Sequence, residues 1–283
     1  MATTPGSAAV ADRIPLSAAA LAAALTGPGR LWRDVTVRAE TGSTNSDLLA
    51  AARAGAPEGT VLAAEVQTAG RGRLDRRWIC PPRAALSFSV LLRPDGLPPA
   101  ARGWIPLLAG VAVAAGLRAQ AGLDARLKWP NDVLVGGAKI AGILAEQAGD
   151  AIVLGIGINV TTRRDELPVR QATSVVLAGG PPDRERLLVA VLSELETWYR
   201  RWVAAVAAGP PVLAGTGPGG DPAGLRAEYL QLSATVGQQV RVSMPGGKLV
   251  TGRAGDVDAT GRLVVETASG LVPVSAGDVV HVR

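Results

Sequence analysis

Two rhythms of apolar positions alternate along this chain. Residues 16 to 25 form an alanine- and leucine-rich run that stops at Gly27-Pro28-Gly29, and residues 48 to 52 open a second helical run behind small polar side chains suited to capping. A long apolar helix is predicted over residues 99 to 120. Another is predicted over 183 to 206, where Leu187, Leu188, Val191, Leu192, Leu195 and Trp198 recur at the spacing of a core-facing stripe. Strand patterns lie at residues 35 to 37, 60 to 66 and 85 to 93. Residues 127 to 135 and 138 to 146 flank Gly136-Gly137 as the arms of a β-hairpin, and residues 153 to 160 read as a glycine-bearing strand.

The pattern changes near residue 233. Beyond a short helix at 225 to 232, brief strands at 239–244, 249–257, 262–266, 271–274 and 279–282 are separated by turns and predict a small β-barrel. Residues 1 to 13 lack an apolar period and are expected to be a disordered tail, and the proline- and glycine-rich stretch 209–224 a surface loop. The expected class is α+β, with a large domain over 14–232 and the barrel over 233–283.

Composition narrows the function. The 283 residues are 48% hydrophobic, enough for a sizeable core, and the net charge of +5 comes from bases interleaved with acids. That balance suits a small anionic ligand better than a long nucleic acid. Cys80 is the only cysteine and His281 the only histidine, so no internal disulfide or Cys/His zinc cluster is possible and no bound metal is expected. Cys80 reads as a buried structural thiol in a reducing compartment. The apolar run 104–117 is shorter than the roughly 20 residues of a membrane span and contains Pro106 and Gly110, while Asp12 precedes the signal-like N-terminal run. A cytoplasmic protein without membrane contact is the expectation.

Candidate chemistry concentrates in residues 63 to 78. Arg71, Arg73, Arg76 and Arg77 crowd a segment that Gly70 and Gly72 leave free to bend, and Trp78 closes it with a flat apolar face. Backbone N–H groups bared by glycine approach an anion closely while guanidinium groups grip phosphate or carboxylate oxygens. Alone, the stretch reads equally well as a loose RNA-binding arginine-glycine segment. A second stretch, Gly42-Ser43-Thr44-Asn45, sets hydroxyl and amide groups at a helix start. The third, Lys128-Trp129-Pro130-Asn131-Asp132, leads into the hairpin that carries Lys139 at its return. Lys128, Lys139 and Lys248 are the only lysines among 29 basic residues, and two of them fall in this motif. A compact ammonium fits between a carboxylate and a phosphate where a planar guanidinium does not.

In order, Gly42-Ser43-Thr44-Asn45, then Gln67-Thr68-Ala69-Gly70-Arg71-Gly72-Arg73 with Trp78, then Lys128-Trp129-Pro130-Asn131-Asp132 and Lys139-Ile140-Ala141-Gly142-Ile143-Leu144 resemble the biotin protein ligases. The strand ending in Gly157-Ile158-Asn159 fits the same pattern, and the resemblance is close over roughly residues 35 to 165. It implies a class II aminoacyl-tRNA synthetase-like mixed sheet with flanking helices, followed by a small SH3-like β-barrel. It also implies ATP-dependent activation of biotin to biotinyl-5′-AMP, with Mg²⁺ accompanying the ATP. Transfer then goes to a lysine of the biotin carboxyl carrier domain of an acyl-CoA carboxylase such as acetyl-CoA carboxylase, or of pyruvate carboxylase.

By the same resemblance, Ser43, Thr44, Asn45 and Gln67 are expected to hold the ureido end of biotin, and Gly70, Arg71, Gly72 and Arg73 to close over its carboxyl end. Lys139 is expected to bridge carboxylate and α-phosphate, with Arg73 beside it and Asp132 either orienting it or meeting Mg²⁺. Arg76, Trp78, Asn131 and Asn159 are expected on the nucleotide. Only one helix is predicted in the first 35 residues, which leaves no room for the winged helix-turn-helix of the family's repressors; no DNA partner is expected. The sequence departs from the family at Leu74-Asp75, where relatives usually carry glycine before Arg76; aspartate tolerates left-handed backbone better than most residues. A lipoate-type acyl-adenylate ligase and a nucleic-acid-binding regulator are the alternative readings.

Overall fold

The structure, a computed structural model, describes residues 13–208 and 221–282. Seven strands form the larger sheet: β1 (Asp34–Arg38), β2 (Thr60–Ala64), β3 (Ala85–Leu92), β4 (Ala125–Lys128), β5 (Asp132–Val135), β6 (Ala138–Ala148) and β7 (Ala151–Asn159). Their order is β1-β2-β3-β7-β6-β5-β4, with β1 and β2 parallel and every other pair antiparallel. The helices are α1 (Ala18–Leu25), α2 (Thr44–Arg53), α3 (Ile105–Ala121), α4 (Arg184–Ala208) and α5 (Leu225–Leu232).

Strand alternation gives the sheet two unlike faces. One face presents Leu86, Phe88, Val90, Leu154, Ile156 and Ile158, buried in one cluster with apolar residues of α3 and α4. The helix α3 is apolar on every side because it lies between sheet and α4. The stretch Pro99–Ala121 is long and apolar enough for a membrane span by length and composition, yet 72% of its apolar 18-residue segment is buried within the protein. At Gly116 a Cβ would come within 2.6 Å of Val191 on α4, so glycine sets how closely the two helices pack. The opposite face of the sheet is apolar only at one end, where Leu62, Leu91 and Val153 meet Leu48, Leu49 and Ala52 of α2.

Two strand expectations need correction. The arm read as residues 127 to 135 is two strands, because Trp129-Pro130-Asn131 turns the chain and β4 folds back on β5 with Leu127 opposite Val133. The C-terminal strands β8 (Gln239–Ser243), β9 (Leu249–Val257), β10 (Leu263–Thr267), β11 (Gly270–Val274) and β12 (Asp278–His281) all form. They make an antiparallel sheet in the order β11-β10-β9-β8-β12, and it is not a closed barrel: β11 and β12 are edges that do not pair with each other among the described residues. Closure is not needed to bury its apolar face, since Val240, Val242, Leu263 and Val265 join the same core cluster as the large sheet. Trp104 Nε1 donates to the Ala259 carbonyl at 3.0 Å and Trp129 Nε1 to the Gly261 carbonyl at 3.1 Å, pinning the two units together.

Arg13, assigned to the tail from sequence, is buried and anchored. It donates to the Pro82 and Thr161 carbonyls at 3.3 and 3.1 Å and pairs with Glu166 at 2.5 Å. The remainder of the expected tail, and residues 209–220 of the expected loop, lie outside the described residues.

Candidate active site

The face left bare by α2 is floored with small residues. Ser87 and Ser89 of β3 stand opposite Gly157 and Gly155 of β7, and Gly142 of β6 stands opposite Gly157. A cavity of about 550 Å³ opens above them. Side chains of any size would fill it: a Cβ at Gly155 would lie 2.1 Å from Asn45 Oδ1, and one at Gly157 2.4 Å from the Trp78 indole.

A β-bulge brings Lys139 into this cavity. Strict alternation puts Lys139 on the same face as buried Ala141, but the β5–β6 register skips Ile140 between Val133 and Leu134. Lys139 therefore shares a face with Asp132 and Gly142, and its Nζ pairs with Asp132 Oδ1 at 2.5 Å. Its backbone is fixed from the other side, donating to the Gln171 carbonyl at 2.8 Å and accepting from Thr173 N at 2.8 Å.

The helix α2 supplies one end of the cavity. Ser43 caps it, Thr44 and Asn45 are buried, and Gln67 Oε1 accepts from Thr44 N at 2.9 Å and Thr44 Oγ1 at 3.1 Å. Ser89 Oγ sits 2.7 Å from Thr44 Oγ1 and 2.6 Å from Asn45 Oδ1. These bonds settle every rotamer at this end.

The arginine segment folds back on itself as a flap. Gly72 N donates to the Arg76 carbonyl at 2.7 Å and Trp78 N to the Gly70 carbonyl at 2.9 Å. Leu74 and Asp75 form its tip with φ of 54° and 57°. Asp75 thus occupies the left-handed conformation in which aspartate is tolerated, and Leu74 occupies it as well, which nothing in the sequence signals. Arg73 donates to Asn131 Oδ1 at 3.1 Å and is half-buried; that burial lowers its pKa from the usual arginine value, against the opposing pull of Asp132 and Asp278. The Trp78 ring lies on Gly157 and Gly142, and its Nε1 is buried with no acceptor among the described residues.

Every residue given a biotin, nucleotide or catalytic role from sequence lines the cavity except Gly70. Gly70 serves the flap's shape, since a Cβ there would meet the Trp78 carbonyl oxygen at 2.3 Å. Cys80 lies outside the lining; it is half-buried, its Sγ 3.8 Å from Ser87 Oγ, and burial pushes its pKa up. Sequence reasoning missed Asp278 and Gly277 of the C-terminal sheet. Asp278 pairs with Arg76 at 2.5 Å, and the Gly277 carbonyl accepts from Arg73 at 3.4 Å. The hydrogen bond from Arg76 holds the Asp278 carboxyl below its ordinary pKa. These contacts join residues about 200 positions apart, and no local pattern announces them. It also missed Pro168 and Val169, carried to the cavity by the segment that pairs with Lys139.

Comparison with known proteins decides the family. The Biotin/lipoate A/B protein ligase family matches residues 40–162, and the Biotin protein ligase C terminal domain matches residues 235–282. A curated biotin–[acetyl-CoA-carboxylase] ligase of Mycobacterium tuberculosis is 44% identical over 275 residues, covering 96% of this chain and 97% of the relative. This chain belongs to the biotin protein ligase family. The bifunctional ligase/repressor BirA of Bacillus spizizenii is 34% identical over 233 residues, covering 79% of this chain and 66% of that protein. The solved biotin protein ligase from Aquifex aeolicus in complex with biotin and ATP is similar with a TM-score of 0.71 at 26% identity, covering 89% of this chain and 100% of the other. At the flap tip both Leu74 and Asp75 take the backbone conformation that glycine adopts most freely.

Proposed function

We infer that this ligase joins biotin to ATP as biotinyl-5′-AMP, releasing pyrophosphate, and transfers the biotinyl group to a lysine of the carrier domain of acetyl-CoA carboxylase. The carrier domain of a pyruvate carboxylase is a second substrate of the same chemistry. The observation that carries the reading is the placement of Lys139, held 2.5 Å from Asp132 between the hydroxyl-amide end of the cavity and the flap arginines. A carboxylate oxygen attacking the α-phosphorus of ATP meets like charge, and positive groups fixed on both sides lower that barrier. We assign the bridging position between biotin carboxylate and α-phosphate to Lys139, with Arg73 beside it.

Ser43, Thr44, Asn45 and Gln67 form the end we assign to the ureido ring; bonds to a polar ring give discrimination because an analogue lacking them strands buried partners. Arg71 and Gly72 lie over the acid end, and Arg76, Trp78, Asn131 and Asn159 take the nucleotide. Magnesium enters as Mg-ATP, and Asp132 is the carboxylate we assign to meet it or to keep Lys139 aimed. In the second step the neutral amine of the carrier lysine attacks the mixed anhydride and AMP leaves. A closed flap keeps water from the anhydride meanwhile. We assign the reaction to the cytoplasm, where ATP is plentiful and the free thiol of Cys80 stays reduced.

The test incubates the protein with Mg-ATP, a carrier domain and either biotin or lipoate, and measures carrier mass and pyrophosphate. Mass gain with biotin is expected. A gain only with lipoate, or none with either, overturns the reading.

A further inference from the structure

Glu146 stands just outside the cavity, on the same face of β6 as Gly142 and Leu144, four and two residues further along the strand. Its side chain is only 20% exposed, and its two oxygens serve different partners. Oε1 pairs with Arg71 of the flap at 2.8 Å, and Oε2 accepts from Asn45 Nδ2 at 2.9 Å. Asn45 Nδ2 also donates to the Leu144 carbonyl at 3.2 Å, and Asn45 Oδ1 faces Ser89 Oγ at 2.6 Å. The amide of Asn45 is therefore occupied by the protein at both ends. From Ser89 the chain of contacts continues through Thr44 to Gln67, the residue from which the flap departs. Arg71, Glu146, Asn45, Ser89, Thr44 and Gln67 thus form a circuit that leaves the flap, crosses β6, α2 and β3, and returns to the flap.

We propose that Glu146 is a positioning residue that docks the flap onto the floor of the acid-binding end, and that through it Asn45 serves the flap's closure rather than only the biotin ring. The proposal rests on the biotin-ligase reading above. It makes two demands. Without the carboxylate, Arg71 loses its anchor and the biotin end of the site loosens, while the nucleotide end, held through Arg73–Asn131 and Arg76–Asp278, stays in place. A flap that docks poorly also admits water, which replaces AMP on the acyl carbon and returns biotin and AMP, so pyrophosphate is released without any carrier being modified.

The test compares wild type with Glu146→Gln, Glu146→Asp, Arg71→Ala and the Arg71→Ala/Glu146→Gln double variant, each checked for an unchanged melting temperature. For Glu146→Gln, KM for biotin is expected to rise about tenfold, the scale of one lost charged hydrogen bond, with KM for ATP within about twofold. Pyrophosphate release without carrier should rise relative to carrier labelling, Glu146→Asp should recover part of the loss, and the double variant should be no worse than Arg71→Ala alone. A folded Glu146→Gln with wild-type biotin KM and wild-type leakage overturns the proposal, as does a double variant whose losses add. If wild type itself releases no pyrophosphate with biotin, the functional reading fails instead, so the two failures are distinct.

Discussion

The two walls of the cavity are held together in opposite ways. The floor consists of Thr44, Asn45 and Ser89, all buried, with Gln67 bonding to one another across α2 and β3. The flap consists of arginines whose partners come from elsewhere: Glu146 on β6, Asn131 before β5 and Asp278 on β12. Removing one partner from a buried network leaves a polar atom stranded at about 1–3 kcal/mol, whereas an exposed ion pair contributes about 0–1 kcal/mol. The floor is therefore set before any ligand arrives, and Glu146, tied to Asn45 as well as Arg71, belongs with it, while the exposed Arg76–Asp278 pair is cheap to exchange for another anion. Specificity sits where rearrangement is costly, and charge neutralisation where it is easy.

The sharpest way to break this comparison is Lys139→Ala. It removes the one ammonium between the two walls, and biotin-dependent pyrophosphate release is expected to fall roughly 10²- to 10³-fold, with the melting temperature little changed because the side chain is partly exposed. Near-wild-type release would sink the assigned role. Next in size is Ser89→Ala. It takes the hydroxyl from between Thr44 and Asn45, and urea titration should show a loss of about 1–3 kcal/mol together with a higher KM for biotin. A neutral result would mean that the floor is not preset.

Asp278→Asn probes the flap. Stability should change by less than about 1 kcal/mol, and KM for ATP should fall about threefold as Arg76 is released; a rise would show that Asp278 itself contacts the nucleotide. The sign with pH follows from the depressed carboxyl pKa. Its contribution to stability is present above the ordinary aspartate range and disappears as pH falls through the lowered folded value, so wild type and Asn variant should converge in acid. Asp75→Gly relieves a left-handed backbone at the flap tip, and ATP affinity should rise or stay level; a large loss would give Asp75 a constructive role. The smallest effect is spectroscopic. Burial, and then the nearby charge of Lys128, lowers the pKa of His281, so its single imidazole signal should titrate below 6.5. Lys128→Met should move that midpoint up; no movement would remove Lys128 as a cause.

Much of this was legible in the order of residues. Apolar periodicity marked α3, α4 and the C-terminal strands, and the Gly42–Asn45, Gln67–Trp78 and Lys128–Leu144 stretches each carry their chemistry locally, because capping, glycine bending and charge clustering are properties of neighbours in the chain. The break at Trp129-Pro130-Asn131 was also readable in principle, since proline cannot continue a ladder, but two apolar flanks disguised it.

What the sequence determined by itself was the inventory: the strands and helices, the arginine flap, and a lysine placed in an apolar strand. Only the tertiary structure decided which face Lys139 takes, because a one-residue bulge reverses strand alternation and leaves no compositional trace. Likewise only folding brought Asp278 to Arg76 and Glu146 to both Arg71 and Asn45, and left the C-terminal sheet open against the main core. Contacts between distant residues depend on where whole elements pack, and packing is decided by the sum of many apolar surfaces rather than by any local run of side chains.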